Sequence, residues 1–350
     1  MKKYAVIIVL IAVVSFAFKS KTVQFDVPKG WPKPAYDFKK NPLSETKILL
    51  GRALFYDPVL SKDSTISCAS CHSPFNAFTH IDHQLSHGIK GKIGVRNSPA
   101  LMNLAWQSTF MWDGAVNHLD VQALAPISNP LEMDESIAHV VSKLKTTRNY
   151  PELFYKAFGD STITGEHVLK ALSQFMLTLV SSNARYDSMT RGEVKFTETE
   201  NRGYAIYKKN CSACHSEPLF TNNQYENNGL YEDDSLRDIG RMKVTKNAQD
   251  SLKFKVPTLR NLKYSPPYMH DGRFKHLGQV LNNYIMGLQH TPTLSPNLQK
   301  GLYMNEDEVF DLLAFLGTLN DKHFITNATY GFPKDIFGIL PKDSAKGSVK

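Results

Sequence analysis

Cysteine is scarce in this chain, with four in 350 residues. Long apolar runs are scarcer still. Beyond residue 20 nothing approaches the roughly 20 consecutive apolar residues that a membrane-spanning helix needs. Lysine and arginine outnumber aspartate and glutamate, 41 to 33. They are spread along the chain without a basic block, so the main signature of nucleic-acid binding is missing and no nucleic acid is expected as partner. Alternation with a period of two is nearly absent, so strand is expected only as short hairpins near 225–245.

What is there starts with those cysteines. All of them fall in two pairs, Cys68/Cys71 and Cys211/Cys214, and each pair is followed at once by histidine, His72 and His215. The spacing argues against two disulfides, no βαβ context supports a thioredoxin-like redox pair, and a shared zinc leaves both histidines unexplained. Covalent attachment of haem c explains them, because it needs two thiols for the vinyl groups and an adjacent imidazole for the iron. Two covalently bound haem c groups are therefore expected.

The N-terminus reads as an export leader over 1–18. Lys2 and Lys3 precede an apolar run from Tyr4 to Phe18, with Ser15 and Ala17 spaced as at a cleavage site. An uncleaved anchor is the alternative, and a periplasmic location follows from either. The formal charge of +8 includes the two leader lysines.

The rest divides into an extension over 19–42, a first domain over 43–190 and a second over 191–340. Ser44 is a plausible N-cap for a helix carrying Ile48, Leu49, Arg52 and Phe55 ahead of the first motif. Thr197 and Glu200 form a capping box for a helix carrying Tyr204 and Tyr207 ahead of the second. Val168, Leu169, Leu172, Phe175, Met176 and Leu179 mark another helix, and Asn305 with Glu308 opens a last one through Leu319. Each motif is expected just past a helix, and the apolar period lapses at 183–197. The fold class is all-α, with two cytochrome c-like domains, one haem in each.

GRALFYDPVLS, RNSPALMNLA, MWDG, LEM, VPTLRN and PPYMHDG, spread between Leu43 and Leu319, carry a specific resemblance. The chain resembles the bacterial di-haem cytochrome c peroxidase family, which includes the MauG-type enzyme of methylamine utilisation. The resemblance implies that His72 ligates the peroxide-reactive haem and His215 the electron-transfer haem. It makes Trp112 a relay between them. Gln122 and Glu132 become the polar pair over the open face of the first haem, with Pro126 shaping that pocket. Asn97, with the backbone carbonyls of Ser265 and Pro267, becomes a calcium site at the domain junction. The implied partners are hydrogen peroxide and a small c-type cytochrome or copper protein as donor; a homodimer stays open.

Two positions depart from the family pattern. Many of its peroxidases carry a histidine that blocks the first haem, and its ungapped position here is Ile89. His80, His83 and His87 lie nearby, and His87 reaches the position with a two-residue shift. An open first haem is expected. The far ligand of the second haem falls on Tyr284, on Met286 with a two-residue insertion, or on His290. Thioether ligation raises an iron potential and phenolate ligation lowers it, so the choice bears on function. A peroxidase is the leading expectation; a MauG-type oxidase acting on a partner protein and a non-catalytic electron carrier are the rivals.

Overall fold

A computed structural model describes residues 21–147 and 149–337. The expected leader at 1–18 lies outside the described residues, as do positions 338–340 of the expected second domain. Helices α1 (Glu45–Tyr56), α2 (Cys68–Cys71), α3 (Leu119–Gln122), α4 (Leu124–Ser128), α5 (Ile137–Thr146), α6 (Tyr150–Phe158) and α7 (Gly165–Leu177) belong to the first half. They are followed by α8 (Arg185–Thr190), α9 (Glu198–Asn210), α10 (Met242–Thr245), α11 (Leu277–Met286), α12 (Glu306–Gly317), α13 (Lys322–Thr326) and α14 (Lys334–Phe337). Strand is confined, among the described residues, to β1 (Tyr225–Glu226) paired antiparallel with β2 (Phe254–Lys255). The expected hairpin near 225–245 is thus corrected: the partner strand lies at 254–255, beyond a loop that contains α10.

The two halves repeat one construction. In the first, α1 crosses α7 so closely that a Cβ on Gly51 would sit 1.8 Å from the Ala171 carbonyl oxygen. In the second, α9 crosses α12, and a Cβ on Gly203 would sit 1.9 Å from the carbonyl oxygen of Asp311. Four residues past each glycine an aromatic ring meets an aromatic of the crossing helix. Phe55 lies 5.2 Å from Phe175, and Tyr207 lies 5.0 Å from Phe315. The absent side chain permits the close crossing, and the rings fill the space beyond it. Separate hydrophobic cores form around these two crossings.

The expected caps are in place. Lys47 N–H donates to Ser44 Oγ, and reciprocal capping boxes close at Thr197/Glu200 and Asn305/Glu308. The second motif does follow its helix directly, since α9 ends at Asn210. The first does not: residues 57–67 separate α1 from Cys68, and the motif forms its own helical turn. The segment 183–197 also differs from a plain linker. It contains α8, which buries a charge where an apolar residue was sought: Asp187 holds Arg260 by two hydrogen bonds of 2.9 and 2.8 Å. A hydrophobicity pattern cannot register that.

A second echo joins the halves. LMNLAW at 101–106 and LRNLKY at 259–264 each place an asparagine in the left-handed region, Asn103 and Asn261, just before a tight turn. Both asparagines reach Ser181, Asn103 Oδ1 accepting from its N–H at 2.9 Å and Asn261 Nδ2 donating to its Oγ at 2.9 Å. The extension wraps this junction. Trp106 Nε1 donates to the Pro32 carbonyl at 2.7 Å, and the Arg260 guanidinium lies 4.8 Å from the Trp31 ring.

Candidate haem and peroxide site

At the first motif the Ser67/Ser70 capping box sets the turn that presents Cys68 and Cys71. His72 Nδ1 lies 2.8 Å from the carbonyl of Phe78, a fully buried residue with φ of 60°. The second motif uses the same device. His215 Nδ1 lies 3.0 Å from the Pro257 carbonyl and 3.3 Å from that of Phe220, whose φ is 55°. A carbonyl only accepts, so Nδ1 carries the hydrogen and Nε2 keeps its lone pair. Burial pushes both imidazoles down to about 4, so each is neutral and free to ligate. The four thiols are free, and burial pushes Cys68 and Cys211 up to about 12.

A cavity of about 300 Å³ opens at the second motif. It is walled by Cys211, Cys214 and His215 and reaches Trp112 and Gln122. Tyr284, from α11, turns into it, with Asn228 Nδ2 3.4 Å from the phenol oxygen, and burial pushes that phenol up. Met286, two residues on, is 76% exposed and outside the lining; His290 is exposed as well. Met269, a thioether not weighed from the sequence, lines the cavity and contacts Asn228 at 3.5 Å.

Trp112 is fixed at two points. Its Nε1 donates to the Asn97 carbonyl at 2.8 Å, and its own carbonyl accepts from Lys255 N–H at 2.7 Å. Its neighbour Asp113 accepts from Arg96 at 2.7 Å, and Arg96 also grips Asp238. Gly114, with φ of 73°, is required because a Cβ there would meet the Tyr225 hydroxyl at 1.9 Å. Gln122 Nε2 points to Met111 Sδ at 3.8 Å.

Glu132 is not among the residues lining that cavity; it lies in the turn after α4. Asn129 Nδ2 donates to its Oε1 at 2.8 Å, and its backbone carbonyl accepts from Ile89 N–H at 2.9 Å. Its carboxyl is partly buried and near enough to Cys68 and Cys71 to raise both thiols. Burial pushes that carboxyl up, against the opposing pull of the Asn129 amide. Gly88 lets its segment run flush against this turn, since a Cβ would meet the Leu131 oxygen at 2.1 Å. Ile89 is buried there, while the His87 ring lies 3.9 Å from His83 and its carbonyl 3.5 Å from Cys71 Sγ. Asn97, Ser265 and Pro267 all line the cavity, and Asn97 N–H donates to the His270 carbonyl at 2.7 Å.

Sequence profiles and relatives place the chain in a family. The profile for di-haem cytochrome c peroxidase matches residues 45–195, and that for cytochrome c matches 200–320. Methylamine utilization protein MauG of Methylorubrum extorquens is 38% identical over 85% of this chain and 83% of its own length. The chain belongs to the di-haem cytochrome c peroxidase family. Within it, cytochrome c551 peroxidase of Nitrosomonas europaea is 34% identical, covering 77% of this chain and 78% of that protein. Among solved structures, a MauG-like protein associated with microbial copper homeostasis superposes with a TM-score of 0.78 at 32% identity, over 89% of this chain and 99% of that one. Two cytochrome c-type domains in a helix-rich frame are therefore this chain's architecture. Arg96 and His270 carry a charge and an imidazole inside the RNSPALMNLA and PPYMHDG motifs, a signal the sequence does offer, whereas Lys255 lies just outside VPTLRN and offers none.

Proposed function

We propose that this protein is an exported di-haem peroxidase that reduces hydrogen peroxide to two waters, taking two electrons and two protons. The observation that carries the reading is Glu132: a carboxylate held by Asn129, beside the first pair of thiols, with its proton affinity raised by burial. Both motifs fit haem c, since each offers two free thiols and an imidazole whose Nδ1 is committed to a carbonyl. When bound, haem c supplies the redox equivalents for splitting the O–O bond and for carrying electrons between the domains.

The chain's own part is positioning and proton movement. Glu132 takes the proton from one peroxide oxygen at its carboxylate and returns it to the departing oxygen, as general base and then acid. Gln122 orients peroxide without adding charge. Trp112, tied at both ends to the domain junction, is the relay between the motifs. Electrons come from a small c-type cytochrome or copper protein in the periplasm. Calcium at Asn97 and the carbonyls of Ser265 and Pro267 suits the donor chemistry, all oxygen, with water completing the shell.

Tyr284 supports a second reading. Its phenol turns into the cavity at the second motif while Met286 faces solvent, and a phenolate ligand would lower that site's potential. The electrons would then come from oxidisable side chains of a partner protein. Glu132→Gln is the test of the main reading: peroxide turnover should fall by roughly 10²–10⁴-fold while both haems still reduce reversibly. Undiminished turnover refutes it. Steady-state assays with reduced small cytochrome c separate the two readings, because only the first requires rapid oxidation of that donor.

A further inference from the structure

The cavity at the second motif holds a cation that makes no ion pair among the described residues. Lys255 ends β2, opposite Tyr225. Its side chain lines the cavity, where Nζ donates to Gln107 Oε1 at 2.7 Å and to the Thr109 carbonyl at 2.8 Å. Both partners are neutral. The carboxylate that bears on it, Asp113, is already occupied by Arg96 at 2.7 Å. Glu226 lines the same cavity from the paired strand, yet among the described residues it makes no ion pair with Lys255. Burial pushes this ammonium down to about 8. A buried charge held by neutral groups alone is strongly disfavoured until an anion joins it.

We infer that Lys255 Nζ is the anion-binding point of this cavity, and that the anion it takes is a carboxylate carried in by the second motif's haem, a propionate. The second motif is favoured because Cys211, Cys214 and His215 wall this cavity, whereas Cys68, Cys71 and His72 do not line it. The inference rests on the reading that this motif carries haem c and adds a residue that seats it. Two consequences follow from the geometry. An ammonium beside the propionate offsets its charge and raises that site's reduction potential. The same residue bonds the Trp112 carbonyl through its backbone, so one strand end seats both the carboxylate and the relay. Lys255 is therefore a positioning residue.

The test is a spectroelectrochemical titration of the intact holoprotein and of Lys255→Met, Lys255→Gln and Lys255→Arg. Covalent haem is counted first in each by the pyridine haemochrome spectrum. Fewer than two haems in the unsubstituted protein would sink the haem reading itself, independently of Lys255. With two haems present, the midpoint potential of the second should fall in Lys255→Met and Lys255→Gln, with the first little changed, and return in Lys255→Arg. An unchanged second potential, or a shift confined to the first, overturns the assignment. Should Lys255→Met fail to fold, Lys255→Gln carries the potential test, and resonance Raman spectroscopy of the unsubstituted protein can still overturn the assignment. The second haem's propionate-bending band should shift in D2O, and a band indifferent to exchange rules out the bonded propionate.

Discussion

Asp187→Asn tests the structural logic under the second motif. Arg260 is 1% exposed, and its guanidinium takes both oxygens of Asp187 while Nε and Nη2 also donate to the Pro218 carbonyl. The rings of Trp31, Tyr186 and Phe220 surround it at 4.8, 6.0 and 5.4 Å. Asparagine keeps an oxygen for the Ala184 N–H that Asp187 Oδ2 now accepts at 2.8 Å, so the helix cap survives and only the charge is lost. Removing one partner of a buried ion pair leaves the other uncompensated, at a cost of about 3–5 kcal/mol. At about 2–4 °C per kcal/mol for a domain of this class, the second domain should melt roughly 6–20 °C lower. Differential scanning calorimetry with absorbance at the second haem reads this. Asp187→Leu combined with Arg260→Met should recover much of the loss, because the isolated charge is then gone. A drop worth less than about 1 kcal/mol, as for an exposed pair, would refute the claim that this charge is effectively buried.

The remaining tests address the site and the crossings. Peroxide turnover should have an acid limb above that of an ordinary glutamate, set by the raised carboxyl of Glu132, and Glu132→Gln should abolish the limb; a profile flat through that range counts against the general base. The same shift has a stability sign: Glu132 binds its proton more tightly when folded, so it weakens the fold above its folded pKa, and the penalty is relieved as pH falls through that value. Gly51→Ala and Gly203→Ala each force a Cβ onto a backbone oxygen and should lower stability by about 1–3 kcal/mol or more in thermal melts. Equal melting temperatures would show that the crossings can relax. Trp112→Phe deletes the Nε1 bond to Asn97 and should slow reduction of the first haem through the second in stopped-flow mixing; an unchanged rate removes it as relay.

Much of the site was legible because covalent chemistry is local. Two thiols and an imidazole must be neighbours in sequence, so Cys68, Cys71, His72 and their counterparts announced the cofactor unaided. Helix starts were equally legible, since Ser44, Thr197 and Asn305 cap through atoms within three residues. The break before the first motif, α8 inside the segment where the apolar period lapses and the distant partner of β1 were not, because each depends on what another segment covers.

Sequence alone determined the two attachment motifs, the helix-rich class and the pairing of similar halves. Which side chains enter the cavity was decided only by tertiary structure. Tyr284 and Met286 sit two residues apart on one helix, about 200° around its axis, and only the packing of α11 turns the phenol inward and the thioether out. Likewise Lys255 reads in sequence as an ordinary solvated lysine. Its burial follows from the strand that pairs with Tyr225 and ties its backbone to Trp112, contacts between segments distant in sequence that no local pattern encodes.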